Sequence, residues 1–140
     1  MKKLALITLC SVVLMANPYE SNQEALDAVV KTGQEVSAAL INTLGENLKQ
    51  HMEAGGPLDA AQFCSTKAYA LTATIDEKFG KDVQLKRISL KERNPANRAQ
   101  GEERVILQSL ENLQQSGVVL PEYLVERVDK ESYKYYKPLI

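Results

Sequence analysis

Thirty residues of unbroken helical periodicity, from Gln23 to Met52, are closed off by Gly55-Gly56-Pro57. Ala25, Val29, Val36, Leu40, Leu44 and Leu48 recur at spacings of four and seven, the period of one apolar stripe on an α-helix. A helix of that length runs about 45 Å, so a small chain must fold along it. Ser21 with Glu24 three positions on makes a capping box at its start. The glycine pair and the proline end it.

Beyond the break, Asp59 is placed to cap a second helix reaching about Lys78, with Phe63, Cys64, Ala68, Leu71 and Ile75 along one face and Gly80 as the stop. Val83 to Lys91 predicts a strand: Val83 and Leu85 alternate in one phase, Ile88 and Leu90 in the other, with a bulge at Lys86-Arg87. Arg93-Asn94-Pro95-Ala96-Asn97 is a turn, because Pro95 holds Asn94 extended and both asparagines can bond local backbone. Gly101 to Gln115 predicts a third helix with Val105, Ile106, Leu110 and Leu113 inward, ended by Ser116-Gly117. Tyr123–Val128 and Tyr133–Ile140, joined by the polar turn Asp129–Ser132, predict a hairpin. The expected fold class is therefore α+β, an antiparallel sheet packed by helices, with a long N-terminal helix.

The first sixteen residues read differently from the rest. Met1-Lys2-Lys3 is a short basic segment, Leu4 to Met15 is apolar apart from Thr8 and Ser11, and Ala16 is a small residue before a polar stretch. That is the three-part pattern of a secretory signal peptide, residues 1–16, which leaves residues 17–140 as a single domain exported to the periplasm or beyond. A lipoprotein reading through Cys10 is weaker, because Leu9 is too large just before the cysteine. No second apolar run is long enough to cross a membrane.

Loss of the signal takes Lys2 and Lys3 and no acidic residue, moving the formal charge from −1 to −3. That balance excludes a general nucleic-acid binder, which would carry a basic excess. Cys10 leaves as well, so Cys64 is alone. A single cysteine in an oxidising compartment has no intramolecular partner. It is a buried thiol, an intermolecular partner, or a ligand or reactive group. No nucleophile elbow, phosphate loop or zinc spacing is present, and no enzyme activity is expected. The one histidine, His51, and Cys64 are the only Cys–His pair available, with no spacing that argues for it.

Five blocks in order carry a resemblance: Ala61-Gln62-Phe63-Cys64 on a helix, Lys86-Arg87-Ile88-Ser89-Leu90-Lys91, Arg93-Asn94-Pro95-Ala96-Asn97, a helix opened by Glu102-Glu103, and Tyr135-Tyr136-Lys137-Pro138-Leu139. Together they resemble the c-type haem family domain, an exported bacterial module with a PAS-like fold. The resemblance covers residues 23–140. It implies haem c as the cofactor in complete members, a signalling or electron-transfer protein as partner, and a role in redox or ligand sensing or one-electron transfer. It also implies that Cys64 is an axial ligand of the haem iron, where a thiolate would lower the reduction potential. Family members continue from the Tyr-Tyr-Lys-Pro strand into a Cys-x-x-Cys-His attachment motif. This sequence stops before one, so it is expected to be either a domain cut short or a member without covalent haem.

Each of these residues has a plainer reading. Cys64 on an apolar face serves equally as a small hydrophobe. Lys86, Arg87, Lys91, Arg93 and Arg98 can neutralise haem propionates, with Arg87, Arg93 and Asn94 as the candidate contacts, or can protect an edge strand from aggregation. Asn94 and Asn97 are the residues of a turn before they are ligand contacts. His51 reads as a solvated residue at a helix end, and Tyr133, Tyr135 and Tyr136 as sheet packing. A haem-free sensor or interaction domain and a thiol-based redox protein are the alternative functions.

Overall fold

A computed structural model describes residues 18–139, with side chains from residue 22 onward. Residues 1–16, read above as a signal peptide, lie outside the described residues. Helix α1 (Pro18–Thr66) dominates, followed by α2 (Ala68–Lys78), a 3₁₀ turn at Pro95–Asn97, α3 (Glu102–Gln115) and the strands β1 (Leu124–Arg127) and β2 (Tyr133–Tyr136). The fold is α+β. Among the described residues the sheet is a two-stranded antiparallel hairpin, with Leu124 opposite Tyr136 and Arg127 opposite Tyr133.

The predicted end of the first helix at Gly55-Gly56-Pro57 is present as a corner where two helical runs meet. Gly56 alone leaves helical geometry, at φ 72° and ψ −162°, a backbone region that favours glycine. Pro57 then starts the next turns with its φ already set. The second predicted helix bends again at Lys67, between α1 and α2. The amide of Lys67 still bonds Phe63 O at 2.9 Å and that of Leu71 bonds Lys67 O at 3.1 Å, so the bend breaks little. Ser65 and Thr66 both bond their hydroxyls back to Gln62 O, an arrangement that bends helices.

The core lies where α2 meets α1 and where the hairpin meets α1. Val36 and Leu40 from the long arm, Ala60 and Phe63 beyond the corner, and Ala68, Thr72 and Ile75 of α2 are buried. Leu48, predicted on the buried stripe, is instead 38% exposed, and Val105 and Leu113, predicted inward on α3, are exposed as well. The α1 stripe turns outward before the corner, because α2 and the hairpin cover only part of that helix. The hairpin approaches α1 at Gly33, where a Cβ would fall 2.3 Å from Tyr135 Cγ. Only glycine lets that ring lie on the helix backbone.

Residues 83–91 do not form the predicted strand. They form an irregular segment, with a single parallel bridge between Ser89 and Arg98. Their polar groups are answered from elsewhere: Asp76 accepts from the Leu85 amide, and the Ser89 amide bonds Asn97 O at 2.8 Å. The charged Lys86-Arg87 step breaks the alternation that a strand face needs, and no neighbouring strand among the described residues completes the ladder.

Candidate functional site

Two clusters flank the corner and the irregular segment. At the corner, His51 Nδ1 lies 2.7 Å from Asp59 Oδ2, and the imidazole stacks on Phe63 with centroids 4.7 Å apart and planes 21° from parallel. Gly55 makes this possible, since a Cβ there would come within 2.6 Å of Asp59 Cβ. A carboxylate only accepts, so Nδ1–H donates and the lone pair of neutral His51 falls on Nε2. His51 does lie in the last turns before the Gly56 break, but its solvated reading is corrected: the ring is half-buried under a carboxylate clasp. The capping reading of Asp59 is corrected too, because its carboxylate holds His51.

Cys64 follows Phe63 in the same turn. It is a free, half-buried thiol. Ala60, four residues earlier and so on the same side of the helix, is buried, as is Phe63. The Cys64 side chain therefore borders the packed core rather than standing in open solvent.

The second cluster is the loop from Lys86 to Ala99. Asn94 caps the 3₁₀ turn, its Oδ1 accepting from the Ala96 amide at 3.0 Å, and Arg98 N closes the turn on Pro95 O. Ala99 is buried beneath it and bonds Ser89 O at 3.3 Å. Three of the five predicted cations are used in ion pairs: Lys86 with Glu103 at 3.0 Å, Lys91 with Glu111 at 3.5 Å and Arg98 with Glu92 at 2.5 Å. The Arg98 hydrogen bond holds the Glu92 carboxyl below the usual carboxylate range. Arg93 is exposed and makes no ion pair among the described residues. Arg87 stands apart: its Nε is buried and has no hydrogen-bond partner among the described residues. A cleft of about 290 Å³ opens beside this loop, lined by Ser89, Leu90, Glu92, Arg98, Ala99 and Arg104.

Arg93 and Asn94 thus share one turn, Arg87 lies in the irregular segment before it, and Cys64 is on α1. No hydrogen bond or ion pair joins these four residues to one another among the described residues. The edge-strand role proposed for the cations falls with the strand itself. The His51–Asp59 clasp was not anticipated, although a histidine and an aspartate flanking Gly-Gly-Pro were its visible signal.

The hairpin carries the remaining polar detail. The amides of Glu131 and Ser132 donate to Asp129 Oδ1 at 2.8 and 2.7 Å, and they hold that carboxyl below its ordinary value. Burial, and then a 3.1 Å hydrogen bond to Glu126, push the Tyr136 phenol up to about 12. Tyr135 stacks on Tyr123 at 5.4 Å, and its hydroxyl is buried without a partner among the described residues. The segment after β2 forms one wall of an apolar groove of about 410 Å³, between Pro138 and Leu139 on one side and Leu40, Ile41 and Leu44 of α1 on the other. No helix among the described residues is long and apolar enough to cross a membrane.

No curated protein and no solved structure matches the chain. A family model does, over residues 17–140, which takes in every element described above and both clusters. The chain belongs to the Tll0287-like family.

Proposed function

We propose that this domain is an exported haem-binding module in which Cys64 ligates the iron, serving redox or ligand sensing or one-electron transfer. The observation that carries this reading is Arg87, whose buried Nε meets no acceptor among the described residues. Leaving such a group unanswered costs about 1–3 kcal/mol, and a propionate carboxylate is the partner a guanidinium holds best. The free thiol of Cys64 suits a ligand because it borders the core while keeping part of its surface open to an incoming group. Both features fit the group that the c-type haem resemblance implies.

Bound haem would supply one-electron chemistry at iron. The chain's own residues do the rest. Cys64 would set the potential from one side, Arg87 and the exposed Arg93 would neutralise propionates, and Asn94 would fix the turn that carries Arg93. Covalent attachment is not part of this proposal. The PAS-like arrangement implied by the resemblance belongs to it, with the hairpin as two strands of the sheet. So does export, for which the recovered protein should begin near Asn17.

The test is titration of the purified protein with haemin. A Soret band that forms stoichiometrically, changes position in Cys64→Ala, and needs about tenfold more haemin in Arg87→Gln is expected. Haemin left unbound, or a spectrum indifferent to Cys64→Ala, overturns the reading. The apolar groove between α1 and Pro138-Leu139 favours a second reading, a haem-free sensor or interaction domain. In that case Cys64→Ala costs modest stability and nothing else.

A further inference from the structure

Helix α1 carries a second, exposed stripe, which passes beside the Pro138–Leu139 groove at Ile41 and faces away from the buried Val36–Leu40 side. We propose that this stripe pairs antiparallel with the same stripe of a second copy, making α1 the interface of a homodimer. Gln34, Ala38, Ile41, Gly45, Leu48 and Met52 follow one another at spacings of four and three in strict alternation, and all six are exposed. Ile41, Leu48 and Met52 leave 40%, 38% and 48% of their surface open. Alternating three and four is the heptad period of a helix-to-helix seam. At 100° per residue the stripe lies about 140° around the helix from the inward-facing Val36 and Leu40, so a second helix has room there.

Gly45 is the residue that the single chain does not explain. Glycine is the poorest helix former after proline, yet a Cβ at position 45 would meet nothing within 4 Å. A closely approaching partner helix would account for it. In an antiparallel pair centred near Thr43, every large side chain of the stripe meets a smaller or more pliant one. Ile41 faces the partner's Gly45, Leu48 faces the partner's Ala38, and Met52 lies on the stem of the partner's Gln34.

Charge selects the same register. The residues bordering the stripe on its outer side are Glu35, Asn42 and Lys49, all exposed. The antiparallel pairing sets Glu35 against the partner's Lys49, twice by symmetry, with Asn42 against the partner's Asn42. Within the chain Glu35 has no ion pair among the described residues, and Lys49 has only a solvated one, 3.8 Å from Glu53. A parallel pair would instead stack Gly45 on the partner's Gly45 and leave Glu35 and Lys49 without opposite charges. The contact spans about 27 Å of helix, so a concentration-dependent dimer is expected rather than a permanent one.

Sedimentation equilibrium of the full chain, with single and paired charge reversals, tests this. Glu35→Lys and Lys49→Glu should each raise the dimer dissociation constant about tenfold or more, and the double variant should restore it to within about threefold. Oxidation should crosslink Asn42→Cys into a dimer, and not Met52→Cys, whose two copies lie about 27 Å apart in this arrangement. Unchanged circular dichroism in these surface variants separates lost association from lost folding. A chain that stays monomeric at millimolar concentration overturns the proposal. So does a dimer that crosslinks through position 52, or one that the double reversal fails to restore.

Discussion

Substituting Gly33 sets two local effects against each other, and the structure decides between them. In a helix interior, Gly→Ala gains about 1 kcal/mol from propensity alone. At position 33, however, the new Cβ would fall 2.3, 2.5 and 2.6 Å from Tyr135 Cγ, Cδ2 and Cδ1, far inside contact distance. These atoms are the root and flanks of the ring, so no rotation of a flexible tip relieves the clash. Tyr135 must move away from α1, taking with it the Tyr123 stack at 5.4 Å and the packing of β2 on the helix. Overpacking of this kind costs about 1–3 kcal/mol, and loss of an aromatic pair adds about 0.5–1.5 kcal/mol. Against the propensity gain, Gly33→Ala should lose about 1–3 kcal/mol net.

Gly45→Ala is the matched control, because a Cβ there meets nothing. At concentrations low enough to keep the protein monomeric it should gain up to about 1 kcal/mol. Urea unfolding followed by far-ultraviolet circular dichroism measures both, and the near-ultraviolet tyrosine signal reports the Tyr123–Tyr135 stack. Gly33→Ala should lower the midpoint and weaken that signal. If Gly33→Ala is as stable as Gly45→Ala with its tyrosine signal intact, the docking of the hairpin on α1 is wrong.

Three further outcomes follow from the same geometry. His51→Ala removes the Asp59 hydrogen bond and the Phe63 stack together and should cost about 1–2 kcal/mol, with Asp59→Ala adding little in the His51→Ala background by a double-mutant cycle. The Asp129 carboxyl is held below its ordinary 3.8 by the Glu131 and Ser132 amides, so its contribution is present above that pH and lost as pH falls through the lower folded value. Asp129→Ala should therefore flatten the acid limb of stability against pH. Tyr136, raised from 10.0 to about 12, favours the fold while protonated; its contribution is complete below pH 10 and disappears on the way to pH 12. Tyr136→Phe should remove that alkaline loss and delete a component near pH 12 from the tyrosinate absorbance curve.

The sequence was legible where interactions are local. The long helix, α3, the corner at Gly55-Gly56-Pro57, the Asn94 turn and the hairpin all announce themselves through periodicity, caps and turn residues within a few positions of each other. The misses are long-range. Val83 to Lys91 has strand composition, but a strand needs a partner, and its amides are met by Asp76 and Asn97 instead. Leu48 shares the spacing of the buried stripe, but which turns of α1 are covered depends on where α2 and the hairpin lie. His51 and Asp59 meet only because Gly56 turns the chain between them. Cys64 was singled out for being alone in composition, and its half-buried setting on α1 depends on the packing of Ala60 and Phe63 beside it. The isolation of Arg87 Nε was invisible, because every neighbouring cation had the same charge and only the fold distributes their partners.

Ligation of haem iron by Cys64 is the central claim, and iron K-edge X-ray absorption of the haemin-loaded protein addresses it without reference to activity. A sulfur scatterer in the first coordination shell of the wild-type protein, absent from Cys64→Ser, is the predicted result. A shell of nitrogen and oxygen alone in the wild-type protein would contradict it.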